Sequence, residues 1–445
     1  MKWLLERFES AKSKPAFIHE DRVVSYEKVV ITIARQLSKI KNSGIKEGEI
    51  VAILGDYSPE VFCLILALAM NKNIVIPLAR ESVVEQSDAL GISGCDWLIE
   101  FDKSDINFFI SKHTIIVKSK MLDDFKITNS PGLIVFSSGS TGKPKAMLHN
   151  FKQVAEKFKQ KRSAVIAIPF LMIDHFGGIN TVLAITSSLG TLVTVKDRTA
   201  TNICKAIERY SVELLPTTPS FLTLLLASGA HKNYKLNSLT KVSYGTEVMP
   251  QSTLDRIKEI LPHTVFQQTY GLSEVGVLNS KSRDDGSLWV KIGGEGFETK
   301  VADGILWIRS KYAMVGYLNA PSSFDDGGWF NTQDQVEVDG DYFRILGRVT
   351  DIINVGGQKV YPAEIESLIL ELDNILDVAV FGEAHNLLGQ IVVAKVNLII
   401  SEDARSIKKR IRQKCIGKIA NYKIPTRVII SNERLHNIRQ KKLRK

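Results

Sequence analysis

Short apolar runs alternate with helical segments through the first three quarters of the chain, which is typical of a layered α/β domain. The pattern predicts a buried helix over residues 58–70 that leads into a short strand at 74–77. Apolar runs bounded by glycine and proline predict further strands at 133–136, 164–168, 190–195, 212–215 and 241–243. We therefore expect a large α/β unit over residues 1–347.

The hydrophobic spacing changes after residue 347 and predicts a smaller unit. A helix is expected just after Pro362, because four apolar residues there share one helical face. These residues are Ile365, Leu368, Ile369 and Leu372. Strands at 377–381, 391–400 and 426–431 and a basic amphipathic helix at 404–416 complete the pattern. The predicted fold class is α/β, with a large layered α/β N-terminal domain (1–347) and a small α+β C-terminal domain (348–445).

Length and composition exclude several classes of protein. A chain of 445 residues with 44% apolar residues exceeds one hydrophobic core and predicts at least two domains. The longest apolar run, residues 61–70, is too short to span a bilayer. Charges at Glu6, Arg7 and Glu9 interrupt any secretory signal, so a cytoplasmic location is expected. The four cysteines form no metal-binding pattern and are expected to be reduced packing residues.

The net charge of +10 suggests an anionic partner. No aromatic residues are interleaved with the basic residues near the C-terminus, so nucleic-acid binding is not expected. A nucleotide substrate or an acidic partner, such as an acyl carrier protein, would use the same charge.

The segment SSGSTGKPKA, residues 137–146, has the chemistry of a phosphate-binding loop. Its glycines let successive backbone N–H groups point at one anion, while hydroxyls and lysines add donors and charge. The residues concerned are Ser137, Ser138, Gly139, Ser140, Thr141, Gly142, Lys143 and Lys145. The segment is not a Walker loop, because Pro144 stands where that motif needs a magnesium-binding hydroxyl. A Ser/Gly-rich turn that binds nothing is the alternative.

Two later segments carry complementary chemistry. The segment YGLSEVG, residues 270–276, offers a ring to stack on a base, a hydroxyl for phosphate and a carboxylate for magnesium. Its candidate residues are Tyr270, Gly271, Ser273 and Glu274. Farther along, Asp334 is a candidate acceptor for ribose hydroxyls and Arg348 a matching cationic donor. Taken alone, an aspartate or arginine in such a position more often forms a turn or faces solvent than binds a ligand.

In this order and spacing, the motifs closely resemble the adenylate-forming superfamily of acyl-CoA synthetases, luciferases and nonribosomal peptide synthetase adenylation domains. The resemblance runs almost from end to end and implies that residues 243–247 line the adenine and acyl pocket. The residues implied there are Tyr244, Gly245, Thr246 and Glu247. It further implies ribose binding by Asp334 and a hinge that begins at Arg348, with a mobile C-terminal domain.

The implied reaction is ATP-dependent activation of a small carboxylic acid to an acyl-adenylate. The acyl group would then pass to a thiol of CoA or of a carrier-protein phosphopantetheine. Glu274 is implied to hold Mg²⁺, and Lys441 matches the catalytic lysine, with Lys442 as the second candidate and a frayed basic tail as the alternative. The chain departs from the family at Gln333, where the family has glycine.

The acid itself is left open by the sequence. The segment 168–181 resembles the family stretch that lines the acyl pocket or gates the thiol channel, which implicates His175 and Gly177. In another alignment, Asp174 resembles the aspartate that holds a substrate ammonium, which would favour an amino acid. We prefer the acyl or aryl interpretation. A luciferase-like oxidation and a non-catalytic nucleotide- or partner-binding derivative stay open as other functions.

Overall fold

The computed structural model of this protein describes residues 1–80, 86–113, 115, 117–138, 144–433, 435–436 and 442. Elements are numbered in chain order. The α-helices of the described residues are α1 (Lys2–Glu9), α2 (Tyr26–Asn42), α3 (Pro59–Met70), α4 (Gln86–Ser93), α5 (Lys120–Ile127), α6 (Phe151–Glu156), α7 (Phe176–Ser187), α8 (Ala200–Tyr210), α9 (Pro219–Ser228), α10 (Gln251–Ile260), α11 (Pro362–Leu370) and α12 (Ala404–Cys415). No helix in the described part of the chain is long and apolar enough to cross a membrane.

The first sheet has seven strands, and all its neighbours pair in parallel except the last two. In spatial order they are β13 (Val265–Gln268), β12 (Lys241–Tyr244), β11 (Leu214–Thr217), β9 (Ile166–Ala167), β10 (Thr191–Val193), β1 (Pro15–His19) and β2 (Arg22–Ser25). The strands predicted near 166, 191, 214 and 241 are confirmed here.

The second sheet also has seven strands, with a parallel centre and antiparallel edges. In spatial order they are β20 (Gly316–Tyr317), β8 (Pro144–Asn150), β7 (Gly132–Ser138), β4 (Ile74–Leu78), β3 (Ile50–Leu54), β5 (Trp97–Phe101) and β6 (Phe108–Lys112). The predicted helix is α3, which begins after Ser58, whose hydroxyl accepts the Val61 N–H at 3.1 Å. Helix α3 is almost wholly buried and joins apolar residues of both sheets into one core.

The third sheet is antiparallel and was not predicted as a unit. Its strands in spatial order are β16 (Asn279–Ser282), β17 (Trp289–Gly293), β22 (Tyr342–Arg348), β21 (Phe330–Asp339), β19 (Ile305–Ser310) and β18 (Phe297–Ala302). A short hairpin, β14 (Gly271–Leu272) and β15 (Gly276–Val277), precedes it.

The fourth sheet belongs to the C-terminal unit. It consists of β24 (Gln358–Val360), β23 (Ile353–Val355), β26 (Gly389–Leu398), β25 (Ile375–His385) and β27 (Arg427–Ile430). Helices α11 and α12 pack on this sheet around a separate apolar core. The N-terminus of α10 holds this unit in place, because the Ser252 hydroxyl donates to the Ser367 carbonyl at 2.8 Å. The predicted boundary after residue 347 falls at the end of β22.

Candidate active site

A cavity of about 800 Å³ lies where strand ends of the first two sheets meet the third sheet and the C-terminal unit. Ser137 from β7, Ser243 from β12 and Gln268 from β13 line it at or near the carboxyl ends of their strands. Asp334 of β21 and Pro362 of α11 close the other side. Ligands of open α/β sheets bind at such carboxyl ends, so the cavity is the expected place for a site.

Most of the predicted site residues meet in this cavity. Those that line it are Ser137, Lys145, His175, Gly177, Gly245, Thr246, Glu247, Tyr270, Gly271, Ser273, Glu274, Asp334 and Arg348. Segments separated by some 200 residues in the chain are thereby brought to one cavity. The centre of the predicted phosphate loop and the predicted catalytic lysine lie outside the described residues. These are Gly139, Ser140, Thr141, Gly142, Lys143 and Lys441.

Two predicted substrate contacts do not reach the cavity wall. Tyr244 is 1% exposed and packs in the core behind β12, because side chains alternate along a strand and Ser243 takes the cavity side. Asp174 is 2% exposed, and its charge is among the causes that raise the pKa of Tyr57, after burial of that phenol. The structure therefore gives neither residue the substrate contact that the sequence suggested.

Asp334 and Arg348 face each other across the β21–β22 ladder. Their Cα atoms are register partners, and Arg348 Nε lies 3.4 Å from Asp334 Oδ1. The Tyr270 hydroxyl donates to Asp334 Oδ2 at 2.5 Å. Burial raises the pKa of Asp334, while the Arg348 guanidinium partly offsets that rise. Asp334 is thus a nearly buried acceptor that Arg348 and Tyr270 hold in position from two sides.

The backbone beside Asp334 is left-handed although the residue there is not glycine. Gln333 has a φ of +58°, and the Asn331 side chain accepts its N–H at 2.9 Å. The position therefore has the conformation for which glycine is best suited, and this chain achieves it with glutamine. The sequence departs here from the glycine of the family it resembles, and the structure shows that the turn forms nonetheless.

Thr246 is a second left-handed position on the cavity wall, with a φ of +71°. A β-branched residue is strongly disfavoured in this region. We expect Thr246→Gly to raise the free energy of unfolding by roughly 0.5–1 kcal/mol, since relief of the strain exceeds the added chain entropy of glycine. Urea unfolding measures this change. Thr246→Ala is the matched control, because it keeps the Cβ. Equal stability of the Gly and Ala variants would contradict the prediction that the backbone at Thr246 is strained.

Glu274 is positioned by a residue that the sequence analysis missed. The Tyr317 hydroxyl donates to Glu274 Oε1 at 2.8 Å, and Lys145 Nζ lies 5.2 Å from the centre of the Tyr317 ring. Burial, followed by the Glu274 charge, raises the pKa of Tyr317, so the phenol stays a donor. The sequence analysis assigned no role to Tyr317, and the pairing of β20 with β8 brings it here.

The described residues contain no cluster of three or more His, Cys, Asp or Glu side chains that could hold a metal ion. Glu274, one of the carboxylates that line the cavity, is nevertheless sufficient for magnesium when substrate phosphates supply the other ligands. The donor set therefore fits a magnesium ion that would arrive with a nucleotide.

His175 and Gly177 shape the start of α7. His175 is its N-cap, and His175 Nδ1 accepts the Gly177 N–H at 3.0 Å. A Cβ on Gly245 would lie 2.5 Å from Thr269 Oγ1, so only glycine fits where the loop after β12 passes this residue. These contacts hold the start of α7 and the loop after β12 in position where they line the cavity.

The C-terminal tail reaches the cavity at Lys442. Its backbone N–H donates to Glu247 Oε1 at 2.6 Å. Its side chain turns the other way into the C-terminal unit, where Nζ lies 3.4 Å from Asp377 and 3.8 Å from Glu366. His436 Nδ1 lies 3.0 Å from the same Asp377 carboxylate. This paired, 8%-exposed ammonium is poorly placed to be the catalytic amine, which favours Lys441 over Lys442.

Comparison with known families agrees with the arrangement of these motifs. The sequence pattern of the AMP-binding enzyme family matches residues 4–318. The pattern of the AMP-binding enzyme C-terminal domain matches residues 364–442. Because the first match alone spans more than half of the 445 residues, this chain belongs to the AMP-binding enzyme family.

The individual relatives share only low sequence identity with this chain. Acyl-CoA synthetase 7 of Caenorhabditis elegans is 31% identical over 325 residues, which cover 65% of this chain and 59% of that protein. The chain thus matches less than two thirds of that relative's length. The indoleacetate–CoA ligase of Aromatoleum aromaticum is 26% identical over 487 aligned residues, covering 97% of this chain and 94% of the relative.

Solved structures share the fold over the whole length. The anthranilate CoA ligase AuaEII in complex with anthranoyl-AMP superimposes with a TM-score of 0.84 at 19% identity, covering 99% of this chain and 95% of the other. ATP-bound MatB from Rhodopseudomonas palustris gives a TM-score of 0.80 at 20% identity, covering 98% and 96%. The two-part α/β fold predicted from the sequence is confirmed.

Proposed function

We propose that this protein is an acid–thiol ligase that converts a small carboxylic acid, with ATP, into an acyl-adenylate and then into an acyl-CoA thioester. One observation carries the proposal: a potential ribose acceptor, Asp334, and a potential magnesium ligand, Glu274, line one cavity beside Arg348 and Tyr270. This combination suits a nucleotide whose base, sugar and phosphates must be held at once.

The first step would join the acid to AMP. A carboxylate oxygen of the acid would attack the α-phosphorus of ATP, and the bond from that phosphorus to the bridging oxygen of pyrophosphate would break. Asp334 would accept the ribose hydroxyls, while Lys145 and Lys441 would neutralise negative charge on the phosphates and the reacting carboxylate. Magnesium, held at Glu274, would supply further charge neutralisation when bound.

The second step needs a route for a thiol. A second cavity of about 810 Å³ lies between the two units and shares Leu171, His175 and Thr246 with the first. Lys196 and Arg198 line it and could meet the phosphates of CoA. The thiol sulfur would attack the acyl carbon, AMP would leave, and the thiol proton would pass to solvent. His175 stands on the shared wall and is the proposed gate.

The named relatives favour CoA as the acceptor. The Aromatoleum protein is called a CoA ligase, as is AuaEII. The acyl or aryl acid stays our preferred substrate over an amino acid, because Asp174 does not line the cavity that would hold the substrate amine.

Product analysis tests the proposal. The protein incubated with ATP, Mg²⁺, CoA and a panel of alkyl and aryl acids is expected to form AMP and one acyl-CoA in equal amounts, detected by mass spectrometry. Asp334→Asn is expected to raise the KM for ATP by about 10- to 100-fold, the range for losing a hydrogen bond to a charged acceptor.

Asp303→Asn is the matched control for that substitution. Asp303 is exposed on the turn between β18 and β19 of the same sheet, and asparagine tolerates its left-handed φ of +53°. The control should behave as the unmodified protein. Equal effects of the two variants, or AMP formation that does not depend on an acid, would contradict the assignment.

A further inference from the structure

The cavity has one wall with a chemistry that nucleotide binding does not use. Asn180, Thr181 and Ala184 line it from one face of α7, and Val277 lines it from β15. Two of these four residues, Ala184 and Val277, are apolar, and the other two are uncharged. This wall is therefore suited to the acyl part of a substrate rather than to phosphates.

Behind this wall lies a lysine ammonium that the proposed reaction does not use. Lys157 Nζ donates to the Val277 carbonyl and lies 3.5 Å from Asn180 Oδ1. Both of these partners belong to cavity-lining residues. The Lys157 side chain also lies against the rings of Phe158 and Phe297, with Nζ 5.6 Å and 5.7 Å from the ring centres.

Within the described residues, no carboxylate pairs with the charge of Lys157. Among the ion pairs of the described residues, none includes Lys157, although carbonyl and amide oxygens satisfy part of its hydrogen-bonding capacity. Burial, followed by repulsion from Arg162, lowers the pKa of Lys157 to about 8. An amine with that pKa is still mostly protonated at neutral pH. A half-buried cation without a carboxylate is costly unless an anion completes the site.

Asn180 links this charge to the cavity, because it lines the cavity while its Oδ1 lies 3.5 Å from Lys157 Nζ. The Nδ2 group of the same amide is a donor that this contact does not use. The acyl wall thus combines an amide that can donate a hydrogen bond with a nearby ammonium that no carboxylate of the described residues pairs.

We propose that the acid activated here carries a second carboxylate at the end remote from the reacting carboxyl, bound by Asn180 and by the charge of Lys157. This inference rests on the proposed function and narrows its substrate class to dicarboxylic acids with an apolar middle. Both residues are specificity-determining, and neither touches the reacting atoms.

Paired substrates test the proposal. Acid-dependent exchange of labelled pyrophosphate into ATP is measured with the straight-chain diacids from succinate to suberate and with carboxyphenyl-acetate and carboxyphenyl-propionate. Each diacid is compared with its half-methyl ester, which removes the distal charge and adds one methyl group. The unmodified protein is expected to show a kcat/KM at least about 10-fold higher for one or more diacids, as for a hydrogen bond to a charged group.

Two variants separate recognition from stability. Lys157→Met is expected to bring the diacid-to-ester ratio close to one while changing the kcat/KM for the half-ester less than twofold. Asn180→Leu is the second variant, to be used if Lys157→Met does not fold. It removes no charge, should fold, and should also reduce the diacid-to-ester ratio. The KM for ATP should stay unchanged in both variants.

The possible failures are distinguishable. Half-esters used as well as the diacids, or an equal loss for both substrates in Lys157→Met, would overturn the second-carboxylate site and leave the proposed function standing. Absence of exchange with every acid, with ATP still bound, would overturn the proposed function together with this inference.

Discussion

Replacing Lys441 by alanine is expected to lower acid-dependent pyrophosphate exchange by about 100- to 1,000-fold, the effect of removing one preorganised donor to developing charge. The assignment combines the resemblance of the tail with the position of Lys442, whose backbone lies at the cavity beside Glu247. ATP binding should change much less than turnover. The measurement is the exchange rate at saturating ATP, together with the ATP dissociation constant.

Lys445→Ala is the control for this prediction, since it removes the same charge from the same basic tail. It should exchange pyrophosphate at the unmodified rate. If both variants lost activity equally, general charge attraction by the tail would explain the result better than a catalytic amine. An unchanged rate in Lys441→Ala would rule out its assigned role.

Lys442→Met is expected to destabilise the C-terminal unit by about 3–5 kcal/mol, the usual result of breaking a buried ion pair from one side. The Asp377 and Glu366 side chains are each 2% exposed and would lose the ammonium between them. Hydrogen exchange at the amides of β25 and β26, measured alongside urea unfolding, reports the loss where it occurs.

Lys395→Met provides the matched control within the same sheet. Lys395 pairs with Glu433 at 2.7 Å, but the Glu433 side chain is 78% exposed, so the expected loss is below about 1 kcal/mol. Equal destabilisation by the two substitutions would contradict a special role for the buried cluster.

The destabilisation caused by Lys442→Met should also depend on pH. Burial acts to raise the pKa of Asp377, but Lys442 and His436 outweigh it and hold the pKa below its ordinary value. The stabilisation is therefore complete above the ordinary carboxyl pKa of about 3.9 and is lost as the pH falls through the lowered folded value. The stability difference between the unmodified protein and Lys442→Met should narrow below about pH 4.

The sequence predicted the elements that bury a continuous apolar face. Helix α3 and strand β4 were located within one residue of their ends, because Ser58 and Pro59 mark the helix start and the strand is wholly apolar. The third sheet was missed as a unit. Its strands have one face toward solvent, as in β18, so their apolar signal is weak.

The candidate site was predictable only where residue types cluster in short motifs. Tyr270, Glu274 and Asp334 belong to such motifs, and the structure places them in one cavity. Tyr317 and Lys157 could not be found this way, because their roles depend on strand pairing and helix packing between distant segments. Tyr244 was misjudged for a related reason: the side of a strand that a residue faces depends on the register.

Acid-dependent exchange of labelled pyrophosphate into ATP tests the central claim, that this cavity forms an acyl-adenylate, most directly. The unmodified protein should exchange label only when a suitable acid is present, without CoA, and Asp334→Asn should need about 10- to 100-fold more ATP to do so. Tight ATP binding with no exchange across alkyl acids, aryl acids, diacids and amino acids would contradict the claim and indicate a nucleotide-binding protein that does not catalyse adenylation.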